Sequence, residues 1–303
     1  MAVKSRKITP AGAPLSPSLG AAMFAPAVIY IVLLIGAPLL LAIFYAFSDA
    51  RIGSTELHYV GLQNFRSILQ SPSFQAAWQH SVSFTVCAQI IVLVCANVLS
   101  IALEKPFRGR GLVRFFILLS WVAPVSLGTI GWKWILDSTY SVLTWLLVWL
   151  EIVKPDTLYW LGQERLAMVS VILVHCWRLI PFSTVILLAG RTAIPKDIPE
   201  AAAIDGAGFW RTLFQINLPM MTPILSVAVL FGTIFTFTDM TVVYILTNGG
   251  PYDSTQTLPM LAFTQGIQGS DLAAGAAISV LLLPALVVIA YMMLRVARRV
   301  EVV

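Results

Sequence analysis

Charge is scarce in this chain. Asp, Glu, Lys and Arg make up 11% of its 303 residues while apolar residues reach 58%, where an ordinary soluble domain carries about a quarter charged residues. So few charges cannot clothe a water-facing surface of this size. The formal net charge of +5 is the balance of 19 Lys+Arg and 14 Asp+Glu, set in short clusters, and this excludes the broad basic face of a nucleic-acid binder. Cysteine is nearly absent: Cys87, Cys95 and Cys176 all sit inside apolar runs, which excludes a disulfide-stapled secreted domain and reads each as a small buried hydrophobe. His175 has no second ligand at metal-binding spacing, so no metal is expected and a satisfied polar residue is the plainer reading.

Other absences narrow the function. No Gly-x-x-x-x-Gly-Lys-Ser/Thr loop occurs, so the chain does not itself hydrolyse ATP. An intramembrane enzyme needs a nucleophile–base pair or a carboxylate cluster, and a lone Asp239 with a lone His175 supplies neither. An ion-coupled secondary transporter, the alternative reading, would want acidic midplane sites and often an internal repeat. Only Asp239 is acidic within a span, and no pair of similar halves is visible.

What the chain has in quantity is long apolar runs. Crossing a membrane takes about 20 apolar residues at 1.5 Å rise, and the runs at about 20–48, 77–103, 113–136, 166–190, 222–246 and 272–294 qualify. This predicts an all-α polytopic membrane protein of six spans occupying 19–296, with a flexible tail at 1–18 and a short tail at 297–303. The first run is too long for a signal-peptide core, so it is expected to remain in the mature protein. The stretch 138–152, with Trp145 and Trp149 in it and Trp160 nearby, is too short to cross and is expected to lie in the outer interface, where tryptophans collect.

Loop charge sets the sidedness. Lys4, Arg6, Lys7, Lys105, Arg108, Arg110, Arg114, Arg191, Lys196, Arg211, Arg295, Arg298 and Arg299 fall on one side, and only Arg51, Arg66, Lys154 and Arg165 on the other. Cytoplasmic loops carry the excess of Lys and Arg, so both termini and the fourth-to-fifth loop, 191–219, are expected in the cytoplasm.

That loop has its own pattern. Asp197 can cap a helix that has Glu200 at its third position and Pro199 in its first turn, and Gly206 permits the left-handed residue that ends it. Ala201, Ala202 and Ala203 leave the helix nearly bare, so it is poorly stabilised alone and suited to docking in another protein's groove. Asp205 could cap the helix that follows.

The spacing Glu200-Ala201-Ala202, Asp205-Gly206-Ala207, Ile216 and Leu218-Pro219 resembles the Glu-Ala-Ala coupling loop of the permease subunits of binding-protein-dependent ABC importers. The likeness extends from Gly20 to Leu294. Asp239-Met-Thr-Val-Val-Tyr-Ile-Leu-Thr-Asn-Gly-Gly-Pro251 and Val60-Gly-Leu-Gln-Asn-Phe65 are similar to segments of the carbohydrate group, the permeases for maltose-type sugars, trehalose and glycerol phosphate, actinobacterial trehalose permeases among them. The resemblance implies the six-helix fold of type I importers in a bacterial cytoplasmic membrane. It also implies a second homologous permease, two ATPase subunits holding ATP and Mg, and an external sugar-binding protein, with no cofactor on this chain. Glu200 would then make a charge-assisted contact to the ATPase, and Leu218-Pro219 would mark re-entry into the membrane.

Ionisable groups within spans are costly and point to function. Asp239 and Lys133 could pair with each other or line the outer pathway; Arg178 could clamp packing or a gate, or touch sugar directly. Phe235, Phe237, Tyr244 and Asn248 offer aromatic platforms and a hydrogen-bonder for a saccharide.

Overall fold

Residues 17–300 are described by the computed structural model; the tail expected over 1–18 lies, up to residue 16, outside the described residues, as do 301–303. The elements are α1 (Pro17–Ile31), α2 (Ala37–Ala46), α3 (Gln63–Gln70), α4 (Pro72–Glu104), α5 (Arg110–Val122), α6 (Val125–Ile135), α7 (Val142–Trp149), α8 (Glu164–Ala193), α9 (Asp197–Ile204), α10 (Phe209–Thr212), α11 (Leu218–Met220), α12 (Thr222–Phe237), α13 (Thr241–Leu246), α14 (Leu258–Phe263) and α15 (Leu272–Val300). Short π-helical turns join α1 to α2, α10 to α11, and α14 to α15. Among the described residues there is no strand, only the isolated bridge between Ser48 and Tyr59.

Proline sets many of the boundaries, because the residue before it is driven out of the helical region. Ser71 (ψ 127°) precedes Pro72 and opens α4; Lys105 (ψ 140°) precedes Pro106 and closes it. Ile194 (ψ 124°) stands before Pro195 at the end of α8. Ala123 (ψ 139°) precedes Pro124 and breaks the run expected as one span over 113–136.

Four helices are long and apolar enough to cross a membrane: Met23–Ala46, Pro72–Glu104, Glu164–Ala193 and Leu272–Arg295. Two bent pairs, α5 with α6 at 99° and Phe209–Met220 with α12 at 74°, bring the total to six if each is one span. Three expected boundaries are corrected. The third run is broken at Pro124. The fifth, expected continuous over 222–246, ends at Phe237 and restarts at Thr241, with Asp239 in the gap. The sixth continues past 294 to Val300, so the short final tail is helical for most of its length. The stretch 138–152 contains only the eight-residue α7, about 12 Å at 1.5 Å rise, far short of a crossing.

The centre of the bundle is α4 against α8. They run parallel, with Ala88 beside Cys176 and Asn97 and Ser100 beside Arg191. One core gathers Phe84, Val92, Val171, Val174 and Leu179 with Val242 and Val243 of α13. A second joins Ala46, Phe74, Phe237, Leu258 and Ile278, tying α2 and α15 to the end of α12. A smaller third lies at the opposite end, around Ala96, Leu187, Met221 and Ala228. α15 approaches the turn at Thr264–Gln268 so closely that a Cβ on Gly275 would stand 2.5 Å from Gly266 Cα. Gly275→Leu is therefore expected to cost about 3 kcal/mol or more, at the upper end of overpacking penalties because backbone is the obstacle; the midpoint of thermal unfolding in detergent measures it.

Candidate functional site: an exposed elbow and two buried polar clusters

At the end of the bundle where α4 and α8 finish, the chain makes an exposed elbow. α9 begins at Asp197, which corrects the expected cap: Lys196 holds the capping position and no side chain caps it. Asp197 and Glu200 instead occupy the first turn, where carboxylates meet the positive end of the helix dipole. The helix closes in a Schellman motif: Gly206 donates to Ala203 O at 3.1 Å and Ala207 to Ala202 O at 2.9 Å. Gly206 sits at φ +77°, a conformation costly for any residue with a Cβ. The second helix is capped by the extended Gly208, not by Asp205, which is the C-cap of α9, one residue past its end at Ile204. Glu200, Ala201, Ala203 and Asp205 are exposed and Ala202 and Ala207 half-buried. Ile204 is 87% exposed. Leu218 is half-buried, and Pro219 lies in the first turn of α11 just before buried Met221 leads into α12.

The elbow is rooted by Arg191, expected as a loop charge but found buried in the last turn of α8. Its Nε donates to Ser100 Oγ at 2.9 Å and its Nη2 to Asn97 Oδ1 at 2.6 Å, with Glu104 Oε2 3.9 Å from Nη1. This network fastens the ends of α4 and α8 together six residues before α9 begins. Arg191→Met is expected to lower stability by about 2–4 kcal/mol, since hydrogen bonds from a charged donor contribute about 1.5–3 kcal/mol each; a thermal-unfolding shift in the purified complex checks it.

A second cluster lies in the interior. Arg178 Nη1 donates to Asp239 Oδ2 at 3.0 Å, and Asp239 Oδ1 accepts the Val242 N–H at 2.9 Å, so the carboxylate caps α13 across the gap. Thr236 donates to Gly232 O, leaving its oxygen to receive His175 Nε2–H at 2.9 Å. His175 Nδ1 stands 3.6 Å from Asp239 Oδ2. The cluster thus joins the α12–α13 break to α8. Among the described residues no group of three or more His, Cys, Asp or Glu could hold a metal. Beyond the spans, Asp49 and Asp137 are held below the usual carboxylate range, chiefly by backbone N–H donors: from His58 to Asp49, and from Tyr140 and Thr139 to Asp137.

Residues 93–302, which contain the elbow and both clusters, match the family of binding-protein-dependent transport system inner membrane components. The chain belongs to this permease family. Its relatives agree. The trehalose/maltose transport system permease of Thermococcus litoralis is 32% identical over 226 residues, 75% of each chain. The diacetylchitobiose uptake system permease of Streptomyces coelicolor is 29% identical over 282 residues, 92% of this chain and 85% of that one. The Mycobacterium tuberculosis trehalose transport system permease is 28% identical, covering 78% and 74%. In fold, the permease is similar to a chain of a bacterial ABC transporter that imports the acidic polysaccharide alginate, with TM-score 0.80 at 18% identity over 93% of this chain and 96% of that one.

The permease brings together only some of the candidate pathway residues. Asp239 pairs with Arg178, and of the two readings open for Asp239 and Lys133 their mutual pairing does not form: Lys133 is exposed on α6 and has no carboxylate within 4.0 Å among the described residues. Phe237, 4% exposed, belongs to the second core with its ring 6.1 Å from that of Trp78. Phe235 joins an aromatic cluster with Trp121, Phe182 and Phe231 across α5, α8 and α12. Tyr244 and Asn248 are exposed, Tyr244 edge-on to Phe263 at 5.4 Å and Asn248 at φ +52° with its N–H closing α13. Sequence reasoning missed Thr236, Asn97, Ser100 and the burial of Arg191. The i,i+3 spacing of Asn97 and Ser100 on α4 was the one available signal.

Proposed function

We propose that this permease forms one half of the translocation pathway of an ATP-driven sugar importer, taking a disaccharide of the trehalose or maltose type, and that α9 with its elbow is the joint to an ATPase subunit. The observation that carries the reading is the Schellman-closed, alanine-faced α9 standing out from the bundle, rooted by Arg191 on the α4–α8 pair. A helix with so little core of its own is stabilised by a partner's cleft. Movement of that cleft on ATP binding displaces α9, and Arg191 passes the displacement to α4 and α8 together, so the spans tilt as a body between inward-open and outward-open states.

In this reading the elbow is cytoplasmic, which the Lys/Arg asymmetry of the loops supports even with Arg191 buried in α8. ATP and Mg are held by two ATPase subunits, a second homologous permease supplies the other half of the pathway, and an external binding protein delivers sugar. The alginate transporter's neighbouring structure, described as a complex with a pentasaccharide-bound periplasmic protein, supports an arrangement of that kind. Arg178 and Asp239 act as a clamp holding the α12–α13 break to α8, and the exposed Tyr244, Asn248 and Lys133 are left as the polar and aromatic surface for sugar. An ion-coupled transporter is less well supported, because Asp239 is already engaged at both oxygens.

The test is cysteine cross-linking in native membranes. A cysteine at Ala203 is expected to react with impermeant thiol reagents only in inside-out vesicles and to cross-link to an ATPase subunit. Labelling from the outside, or no ATPase adduct, overturns the assignment.

A further inference from the structure

The segment after the elbow divides into three faces. Leu213, 5% exposed, turns to the bundle, with Ile216 and Asn217 half-buried beside it. Trp210 and Phe214, four residues apart, are 68% and 59% exposed and stack with ring centroids 5.9 Å apart at 15°. Arg211 and Gln215, also four apart and exposed, form the third face, joined by a 3.1 Å hydrogen bond from Nε to Oε1. One face for protein, one stripe of stacked aromatics and one cationic polar face is the partition of a helix lying in a membrane interface. The direction fits: Phe209–Met220 turns 74° into α12, so where α12 crosses the bilayer this segment runs along its surface. The exposed apolar surface also continues in sequence through Met220 to Val227 and Phe231 of α12.

We propose that Phe209–Met220 lies on the inner leaflet and binds anionic phospholipid, with Trp210 and Phe214 inserted at the level of the upper acyl chains and Arg211 at the headgroup phosphate. The proposal rests on the cytoplasmic placement of the elbow argued above. Tryptophan, an apolar ring with a polar N–H, favours this depth, Phe214 adds apolar area on the same stripe, and a single cation beside an anionic leaflet attracts acidic lipid about fivefold over neutral lipid.

The test uses the assembled transporter in nanodiscs of mixed neutral and anionic phospholipid, with the photo-reactive p-benzoylphenylalanine placed at position 204, 210 or 214. Position 204 is expected to label the ATPase, which checks the coupling assignment separately. Positions 210 and 214 are expected to yield phospholipid adducts enriched about fivefold in the anionic headgroup over its share of the bilayer, and Arg211→Gln is expected to return that ratio to the bulk composition. ATPase adducts from 210 and 214, no lipid adduct from either, or bulk composition in the Arg211 protein each overturn the proposal, whatever position 204 shows.

Discussion

Glu200→Lys and Gly206→Pro are each expected to leave membrane insertion intact and to reduce binding-protein-stimulated ATP hydrolysis and uptake by more than tenfold. The two act through different physics. Glu200 is exposed and, among the described residues, makes no ion pair, so the fold loses only the attraction of a first-turn carboxylate to the helix dipole, about 0.3–1 kcal/mol. At the proposed joint, where Glu200 would face a cation of the ATPase, the loss is larger. A charge-assisted contact is worth about 1.5–3 kcal/mol, and a lysine adds repulsion from the cation it faces, which puts the effect at roughly ten- to a hundredfold. Gly206 acts through the backbone. Proline holds φ near −65° where this position needs +77°, and it deletes the N–H that Gly206 donates to Ala203 O. α9 then exits in another direction while the spans are untouched. Gly206→Ala is the graded control: it keeps the N–H and pays only the left-handed penalty of about 1–2 kcal/mol, so it is expected to retain part of the activity. Wild-type uptake in both Glu200→Lys and Gly206→Pro refutes the coupling role.

Arg178→Leu is expected to be the most destabilising side-chain change in the interior, at about 3–5 kcal/mol, because it leaves a buried carboxylate without its partner. Asp239 is 7% exposed, too deep for water to replace the guanidinium. The double variant Arg178→Leu/Asp239→Leu is expected to recover most of that loss. It removes both charges and sacrifices only the cap on α13 made through Val242 N–H, about 1 kcal/mol. Thermal unfolding of the two single variants and the double variant in one detergent completes the cycle. A double variant less stable than either single one shows that the pair contributes net attraction beyond relief of a buried charge.

Much of this molecule is written along the chain. Run length against bilayer thickness announced the spans, and proline announced the breaks to anyone weighing Pro124 and Pro195 by their effect on Ala123 and Ile194. The elbow was legible because its determinants are local: two carboxylates in a first turn, then three alanines, then a glycine where the left-handed turn falls. Its caps were misassigned, by one position at Asp197 and by three at Asp205. A capping carboxylate and a first-turn carboxylate have the same composition, and only the folded backbone decides which residue stands at the boundary, Lys196 for α9 and the extended Gly208 for α10.

The charged residues were legible as anomalies but not as pairs. Asp239 took Arg178 and His175 from α8 rather than Lys133 from α6, and Arg191 left its loop to join Asn97 and Ser100 some ninety residues away in sequence. Those choices depend on the register of α4 against α8 and on the turn of α12 about the break at Asp239. Register is decided when whole helix faces pack at once, a sum over many small contacts that no short stretch contains. Local chemistry therefore determined the helices, their ends and the exposed elbow; the packing of one helix on another decided which polar groups are partners and which face remains open.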